Sequence, residues 1–552
     1  MEYARSEIMS GVWLTHVRTD KFKTACLSVS LLTQLKRETA AMNALLPQVL
    51  RRGTARYGDM EAVSRRLDEL YGAAIEPVVR RFGEIQSVGF FASVPEEDFL
   101  PAGADTLRGA CELLGQLLCA PNTRGGLLLP QYVDSERDKL LEAIRARVND
   151  KIGWTISRCI EEMCCGEDYA VDRLGDEESA EAIRYQKLTK QYRALLQSSP
   201  IEIFYCGRAD KKRVESLLRD ALATLPRGEI DYDIGTDVRF NALESEPRRY
   251  DEQMNVAQAK LVIGWRLGEA MEEPDPAALR VFADLFGGSA ASKLFMNVRE
   301  KLSLCYYASA LCDRHKGLLL AYAGTEAARV EEAKDEILAQ LAAIARGEIT
   351  SEELSAAKAD VHSALRAVLD SPGDLEGFTL SAVVSGAEYS PEELDELIED
   401  VTAEQLAAIA RGCECDMIYT LTGDGSEGED EEEEDAEIAL SEEELRAFEE
   451  EENDGDPDET LCRRRRNAPE RGAAERAARA RDPEEGLFVL LCLLRHLLRL
   501  SDAQLSARRR AARHPSGRGA LSRTQDVRHA RRRQRPAEHV RHGRGSQRLH
   551  LL

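Results

Sequence analysis

The same order of strand-like and helix-like segments occurs twice within residues 10–424, and this repeat constrains the fold more than any other feature of the sequence. A strand-like apolar run opens each half, at residues 25–32 and 259–265. A second strand-like run, which ends in glycine, closes each half at residues 201–207 and 417–423. Two matched pairs of this kind favour a tandem duplication. We therefore predict an α+β fold with two similar domains of about 200 residues each.

Helix signals fill the space between these strands. Apolar residues at helical spacing predict helices at residues 40–50, 59–71, 131–148 and 189–197. In the second half, Thr350 precedes Glu353 by three residues and Thr402 precedes Gln405 by three, the capping-box spacing that marks a helix start. We place the first domain at residues 1–226, a polar linker at 227–251 and the second domain at 252–426.

The most informative motif lies within residues 285–307, where Gly287 and Gly288 precede a helix-like stretch that contains Arg299 and is followed by Tyr306. We interpret the glycine pair as a tight turn between helices, because no Lys-Ser/Thr follows at the spacing of a phosphate-binding loop. The whole motif resembles the second-domain signature of the insulinase/processing-peptidase family of zinc peptidases. The resemblance covers roughly residues 23–423 and implies two domains around a cavity, each with an antiparallel sheet covered by helices.

The metal site that this resemblance implies is absent from the sequence. Active members of the family carry His-x-x-Glu-His on a helix, with a distant Glu as the third zinc ligand. Aligned on the Gly53-Thr54 pair, Ala44 and Gln48 occupy the two histidine positions and Pro47 the position of the general base. The distal ligand position is Ala143, and Glu142 is one residue short of it, about 100° around a helix. We therefore predict a pseudopeptidase with no catalytic residue, no metal and no cofactor.

Arg299 and Tyr306 have two possible roles. In active relatives the matching residues hold the substrate backbone and stabilise charge on the scissile carbonyl, so the resemblance implies that they still bind peptide. Alternatively, Arg299 pairs with an acidic neighbour and Tyr306 packs at a sheet edge. The sequence does not decide between these roles.

The distribution of cysteines and the lengths of the apolar runs limit the possible cellular locations of the protein. The thirteen cysteines lie scattered without a regular framework, which is typical of a reducing compartment. The N-terminal residues mix charged with apolar side chains, and the longest apolar run, residues 486–494, is too short for a membrane helix. We expect a cytoplasmic protein that does not enter a membrane.

Two charged blocks follow the repeated part. Residues 427–459 hold 20 acidic residues against one basic residue, Arg446, and we predict that the segment 427–460 is disordered. Residues 461–552 hold 24 Arg and 8 acidic residues, with no Lys, Tyr, Ile, Met or Trp. This tail could bind nucleic acid, pair with the acidic block, or come from an out-of-frame terminus. The absence of Lys favours the third account, and nucleic acid is an expected partner only if the tail is genuine.

Two functions are open. The first is a non-catalytic subunit that pairs with a zinc-bearing sibling of the same family and shares a peptide or protein substrate with it. Within the family, residues 67–73 and the short two-domain length resemble most the bacterial peptidase-like branch associated with 5-aminopentanol modification of elongation factor P. The second is an active peptidase with an unrecognised site, although no Ser, Cys or Thr forms a recognisable nucleophile motif with a His in the sequence.

Overall fold

The computed structural model describes residues 1–387, 389–423 and 548–550. The predictions for the acidic segment and for almost all of the Arg-rich tail lie outside this part. The strands are β1 (Glu2–Met9), β2 (Val12–Arg18), β3 (Thr24–Gln34), β4 (Ala74–Phe82), β5 (Ile85–Pro95), β6 (Thr123–Arg124), β7 (Leu127–Leu128), β8 (Ile201–Gly207), β9 (Gly235–Asp237), β10 (Arg248–Met254), β11 (Ala259–Arg266), β12 (Cys305–Asp313), β13 (Leu318–Thr325), β14 (Glu414–Gly423) and β15 (Arg548–His550).

The α-helices are α1 (Ala40–Arg51), α2 (Met60–Glu69), α3 (Thr106–Cys119), α4 (Pro130–Ala146), α5 (Lys151–Met163), α6 (Glu177–Glu181), α7 (Tyr185–Ser198), α8 (Lys211–Ala221), α9 (Pro276–Ala283), α10 (Val330–Ala345), α11 (Ser351–Val368), α12 (Pro372–Val384), α13 (Pro391–Ile398) and α14 (Ala403–Gly412). Two π-helical turns, Asp284–Gly288 and Leu294–Lys301, cover the motif with the two glycines. Within the described ranges, no helix combines the length and apolar character needed to cross a bilayer.

The two halves repeat strand by strand, which confirms the predicted pair of similar α+β domains. The first sheet has the order β1-β2-β8-β3-β5-β4, and the second has the order β10-β14-β11-β13-β12. Removing β1 leaves five strands in each sheet with the same order and the same relative directions.

Each sheet is antiparallel as predicted, except for one parallel pair at or near one edge. In the first sheet β2 runs parallel to β8, and in the second β10 runs parallel to β14. A parallel pair needs a long crossover, and the length of nearly a whole domain between the two strands of each pair provides one. The sequence pattern of one strand predicts that the strand forms, but it does not predict which distant strand pairs with it in the sheet.

Helices cover both faces of each sheet, and one helix on each sheet comes from the other half. In the first half, α1, α3, α7 and α8 pack on the face that carries Leu27, Val29 and Leu31, and α4 packs on α1. The opposite face of the first sheet, at β3 and β8, receives α12 from the second half. Reciprocally, α5 from the first half packs on β11 and β14 of the second sheet. Each half therefore completes the core of the other.

The predicted helix starts are present in the structure. Thr350 Oγ1 accepts the backbone N–H of Glu353 at 3.1 Å, and the Glu353 carboxylate accepts the backbone N–H of Thr350 at 2.8 Å. Thr402 and Gln405 form the same arrangement at the start of α14. The predicted linker holds β9 and the first residues of β10, and β15 pairs antiparallel with β9.

Candidate functional site

Helix α1 places the residues that stand at the ligand positions of the implied zinc site. Ala44 and Pro47 are buried in this helix and Gln48 is half-buried. A methyl group and a proline ring have no lone pair for a metal, and neither can accept a proton. Pro47 also removes one backbone N–H from the helix interior. Gln48 offers only a neutral amide, so none of these three positions supplies the imidazole or carboxylate that the implied zinc site requires.

Helix α4 carries the acidic part of the implied site, and its buried carboxylate is already neutralised. Glu136 is buried and its Oε1 accepts Nη1 of Arg52 at 3.0 Å, with Lys139 Nζ at 3.4 Å. Ala143, at the ligand position, is half-buried and offers no carboxylate, while Glu142 is exposed. Arg52 directly follows α1, so this ion pair joins α1 to α4, the same two helices that the implied zinc would connect.

A buried amide network also holds α1 in place. Asn43 is fully buried, and its Nδ2 donates to Oε1 of Gln86 in β5 at 2.9 Å. Gln191 in α7 donates to Asn43 Oδ1 at 2.8 Å, and Gln86 donates to the backbone carbonyl of Ala40 at 3.1 Å. Sequence reasoning missed this network, although an Asn inside the apolar run of α1 was the signal that could have found it.

Arg299 and Tyr306 are both exposed at the surface of the second half. The guanidinium of Arg299 lies 4.7 Å from the centre of the Phe295 ring, and its Nε is 3.9 Å from a carboxylate oxygen of Glu300. Tyr306 is 51% exposed and stands in a β-bulge at the start of the edge strand β12. A bulge turns a side chain away from the regular pleat. Both roles considered for this pair remain predictions.

Gly287 is required where the motif meets β12. A Cβ atom at this position would lie 2.6 Å from the backbone nitrogen and the Cβ of Ala310, closer than such atoms approach. Ser309 Oγ donates to the carbonyl of Gly287 at 2.8 Å. The glycine therefore serves close packing of a helical turn on a strand.

The three histidines of residues 1–387 and 389–423 lie apart and have local partners. Nε2 of His16 is 2.9 Å from the carbonyl oxygen of Ala209, and His362 contacts Asp395 and Glu399. In residues 1–387, 389–423 and 548–550, no group of three or more His, Cys, Asp or Glu side chains is arranged to hold a metal ion.

Of these three histidines, His315 contacts serine hydroxyl groups in the folded chain. Its Nε2 lies 2.9 Å from Ser381 Oγ and its Nδ1 lies 3.2 Å from Ser385 Oγ. Ser381 is only 8% exposed and sits inside α12, and Arg314 donates to its hydroxyl at 2.8 Å. The backbone N–H groups of a helix interior are bonded one turn back, so they cannot stabilise an oxyanion beside Ser381. Contact with an imidazole alone does not make this serine a nucleophile.

Comparison with known proteins agrees with this geometry. The family described as Peptidase M16 inactive domain matches residues 182–361. The probable inactive metalloprotease YmfF of Bacillus subtilis is 31% identical over 408 residues, which is 74% of this chain and 95% of that protein. The chain belongs to the insulinase/processing-peptidase family, the M16 peptidases. Together with the residues on α1 and α4, these matches identify it as an inactive M16 member.

Solved M16-like structures share the fold of this chain. A conserved protein from Enterococcus faecalis has a TM-score of 0.68 at 26% identity, and the match covers 76% of this chain and 98% of that one. The peptidase M16 inactive domain from Pseudomonas fluorescens has a TM-score of 0.63 at 17% identity, with 77% and 98% covered. The two-domain M16 architecture is thus retained although the zinc-ligand positions are not.

A buried ion network fixes the two halves of this M16 chain together. Lys316, fully buried, donates from Nζ to Glu84 at 2.6 Å and to Glu167 at 2.7 Å. Arg266, also fully buried, donates to Glu167 at 2.8 Å and to Asp416 at 2.9 Å. Burial alone would raise the pKa of Glu167, but the hydrogen bond from Arg266 and the charge of Lys316 outweigh burial and lower this pKa below its ordinary value. Sequence reasoning missed the network because its members are far apart in the chain.

Proposed function

We propose that this chain is a non-catalytic M16 subunit that pairs with a zinc-bearing sibling peptidase of the same family. The observation that carries the proposal is the Arg52–Glu136 ion pair. It holds α1 against α4 without a metal, while Ala44 and Gln48 at the ligand positions leave no chemistry there. A chain built in this way can keep its shape and contribute a surface, while the zinc comes from a second chain.

We further propose that the pair acts in the 5-aminopentanol modification of elongation factor P, with this chain as partner or scaffold. The support is the resemblance of residues 67–73 and of the two-domain length to that branch of the family. Arg299 and Tyr306, both exposed, are the residues proposed to contact a peptide. A cytoplasmic location agrees with the free thiols at every cysteine of the described part.

The first experiment tests pairing. The full chain is co-expressed with a zinc-bearing M16 sibling from the same genome, and the complex is measured by light scattering and elemental analysis. We expect a heterodimer with zinc held by the sibling. A chain that stays monomeric in the presence of every such sibling contradicts the proposal, as does zinc bound tightly to the isolated chain.

The second experiment tests peptide binding and the pathway. Arg299→Ala and Tyr306→Phe should raise the KM of the complex for peptide, while Arg145→Ala, at an exposed pair with Glu177, should not. Cells that lack this chain should yield elongation factor P without the added mass of the modification. A fully modified factor from such cells would remove the pathway assignment and leave the pairing to be judged separately.

The alternative function, an active peptidase with an unrecognised site, has one observation in its favour, the contact between His315 and Ser381. Peptide hydrolysis by the isolated chain that survives a chelator and is lost in Ser381→Ala would establish it. We expect no hydrolysis from the isolated chain.

A further inference from the structure

The contact of α12 with the first sheet contains two buried carboxylates. Glu376 in α12 is almost completely buried, and its oxygens accept Ser28 Oγ at 2.7 Å and Arg80 Nη1 at 2.6 Å. Ser28 and Arg80 belong to the first half and Glu376 to the second. This carboxylate is therefore matched by a cation and a hydroxyl across the boundary between the halves.

Glu202 in β8 lies at the same boundary and is less well matched. Its carboxylate accepts Nη2 of Arg5 at 2.7 Å, and Arg5 is partly exposed. Glu202 and Glu376 line one cavity of about 10 Å³, together with Thr15, Ser28 and Thr379 among others. A polar cavity of this size holds about one water molecule. Glu202 and Glu376 thus line the space of one water, and Glu202 has a single cation, Arg5, bonded to it.

We propose that Glu202 is a pH sensor for the contact between the halves: uptake of one proton by its carboxylate tightens α12 on the first sheet, and loss of that proton loosens it.

The groups that face Glu202 explain the direction of the effect. Arg5 of β1 donates to the Glu202 carboxylate, and Ser30 of β3 is its cross-strand neighbour. Glu376 and Thr379 of α12 line the same cavity. Burial disfavours the ionised carboxylate of Glu202, whereas the charge and the hydrogen bond of Arg5 favour it. Burial is the largest of these effects and raises the pKa of Glu202 to about 7, from an ordinary value of 4.5.

The sign follows from proton linkage. When α12 lifts away and water reaches Glu202, its pKa returns toward the ordinary value, so the closed contact binds the proton more tightly than the open one. The full advantage of the closed contact, in which α12 lies on the first sheet, is therefore present at pH values below 4.5, the ordinary pKa of Glu202. That advantage is lost as the pH rises through about 7.

Hydrogen exchange of the α12 amides in the full chain tests the inference. After correction for intrinsic exchange, opening of α12 should be on the order of tenfold less frequent at about pH 5.5 than at about pH 8. Glu202→Gln, which mimics the protonated acid, should show infrequent opening at both pH values. Glu177→Gln, at an exposed carboxylate paired with Arg145, should behave as the wild type. Equal protection of α7 in all three proteins would show that the variants are folded.

Two outcomes would overturn the inference. One is a wild-type protein whose α12 opens equally often at both pH values. The other is a Glu202→Gln variant that keeps the pH dependence of the wild type, since another group would then be the sensor.

Discussion

Lys316→Met removes the central cation between the halves with little change in side-chain volume. The ammonium group of Lys316 donates to Glu84, to Glu167 and to the carbonyl of Asp237 at 2.6 Å. Glu167 keeps Arg266 after the substitution. In the described part of the structure, the Glu84 carboxylate then keeps only the backbone N–H of Asp237. Breaking a buried pair by removing one partner costs about 3–5 kcal/mol, mainly because a charge is left uncompensated. We expect a loss of this size in the free energy of unfolding.

Denaturant unfolding of the full chain, followed by circular dichroism, measures this loss. The double variant Lys316→Met/Glu84→Gln should recover part of it, because the uncompensated carboxylate is then gone. Arg145→Ala, which breaks an exposed pair, should leave the free energy of unfolding nearly unchanged. A loss below about 1 kcal/mol for Lys316→Met, or no recovery in the double variant, would refute the reasoning that a buried charge network holds the halves together.

Three further predictions concern single residues. Thr350→Ala removes the cap of α11 and should lower the free energy of unfolding by about 1 kcal/mol in a denaturant titration, whereas Thr350→Ser should cost little. Gln86→Leu leaves the buried amide of Asn43 without its acceptor and should cost about 1–3 kcal/mol in the same assay. Burial, and then the charge of Asp360, raise the pKa of Asp284 to about 7, so folding disfavours its ionised form. Stability linked to this group is fully present only below its ordinary pKa of 3.8 and is lost as the pH rises through about 7, so Asp284→Asn should raise the melting temperature more at about pH 8 than at about pH 5.

The sequence predicted the elements whose signal is local. The opening run 25–32 lies within β3, and the predicted helix 40–50 is α1. Both have buried residues at regular spacing, which a short window of sequence reveals. The exchange of α5 and α12 between the halves could not be predicted in this way. Each is amphipathic or apolar like any core helix, and nothing local indicates which sheet receives it.

The same distinction between local and long-range information applies to the candidate site. Ala44, Pro47 and Gln48 were found by aligning a motif within one helix, and the structure places all three on α1. Lys316 and Arg266 were not found, because single charged residues in a sequence are usually solvated and only the fold shows that these two are fully buried. Pairing across distant segments is information that one sequence does not contain.

A bound metal normally serves a site in two ways, by supplying reactivity and by joining the elements that hold its ligands. In this chain the two roles are separated. The joining role is present without a metal, because Arg52 and Glu136 link α1 to α4 and Asn43 ties α1 to β5 and α7 through amides. Reactivity, by contrast, depends on the side chains at the ligand and base positions. Ala44 and Pro47 stand there, and neither can bind a metal or accept a proton. Loss of the zinc ligands from such a fold therefore costs activity without leaving an uncompensated buried charge, which is the physical condition under which an inactive peptidase can remain stably folded.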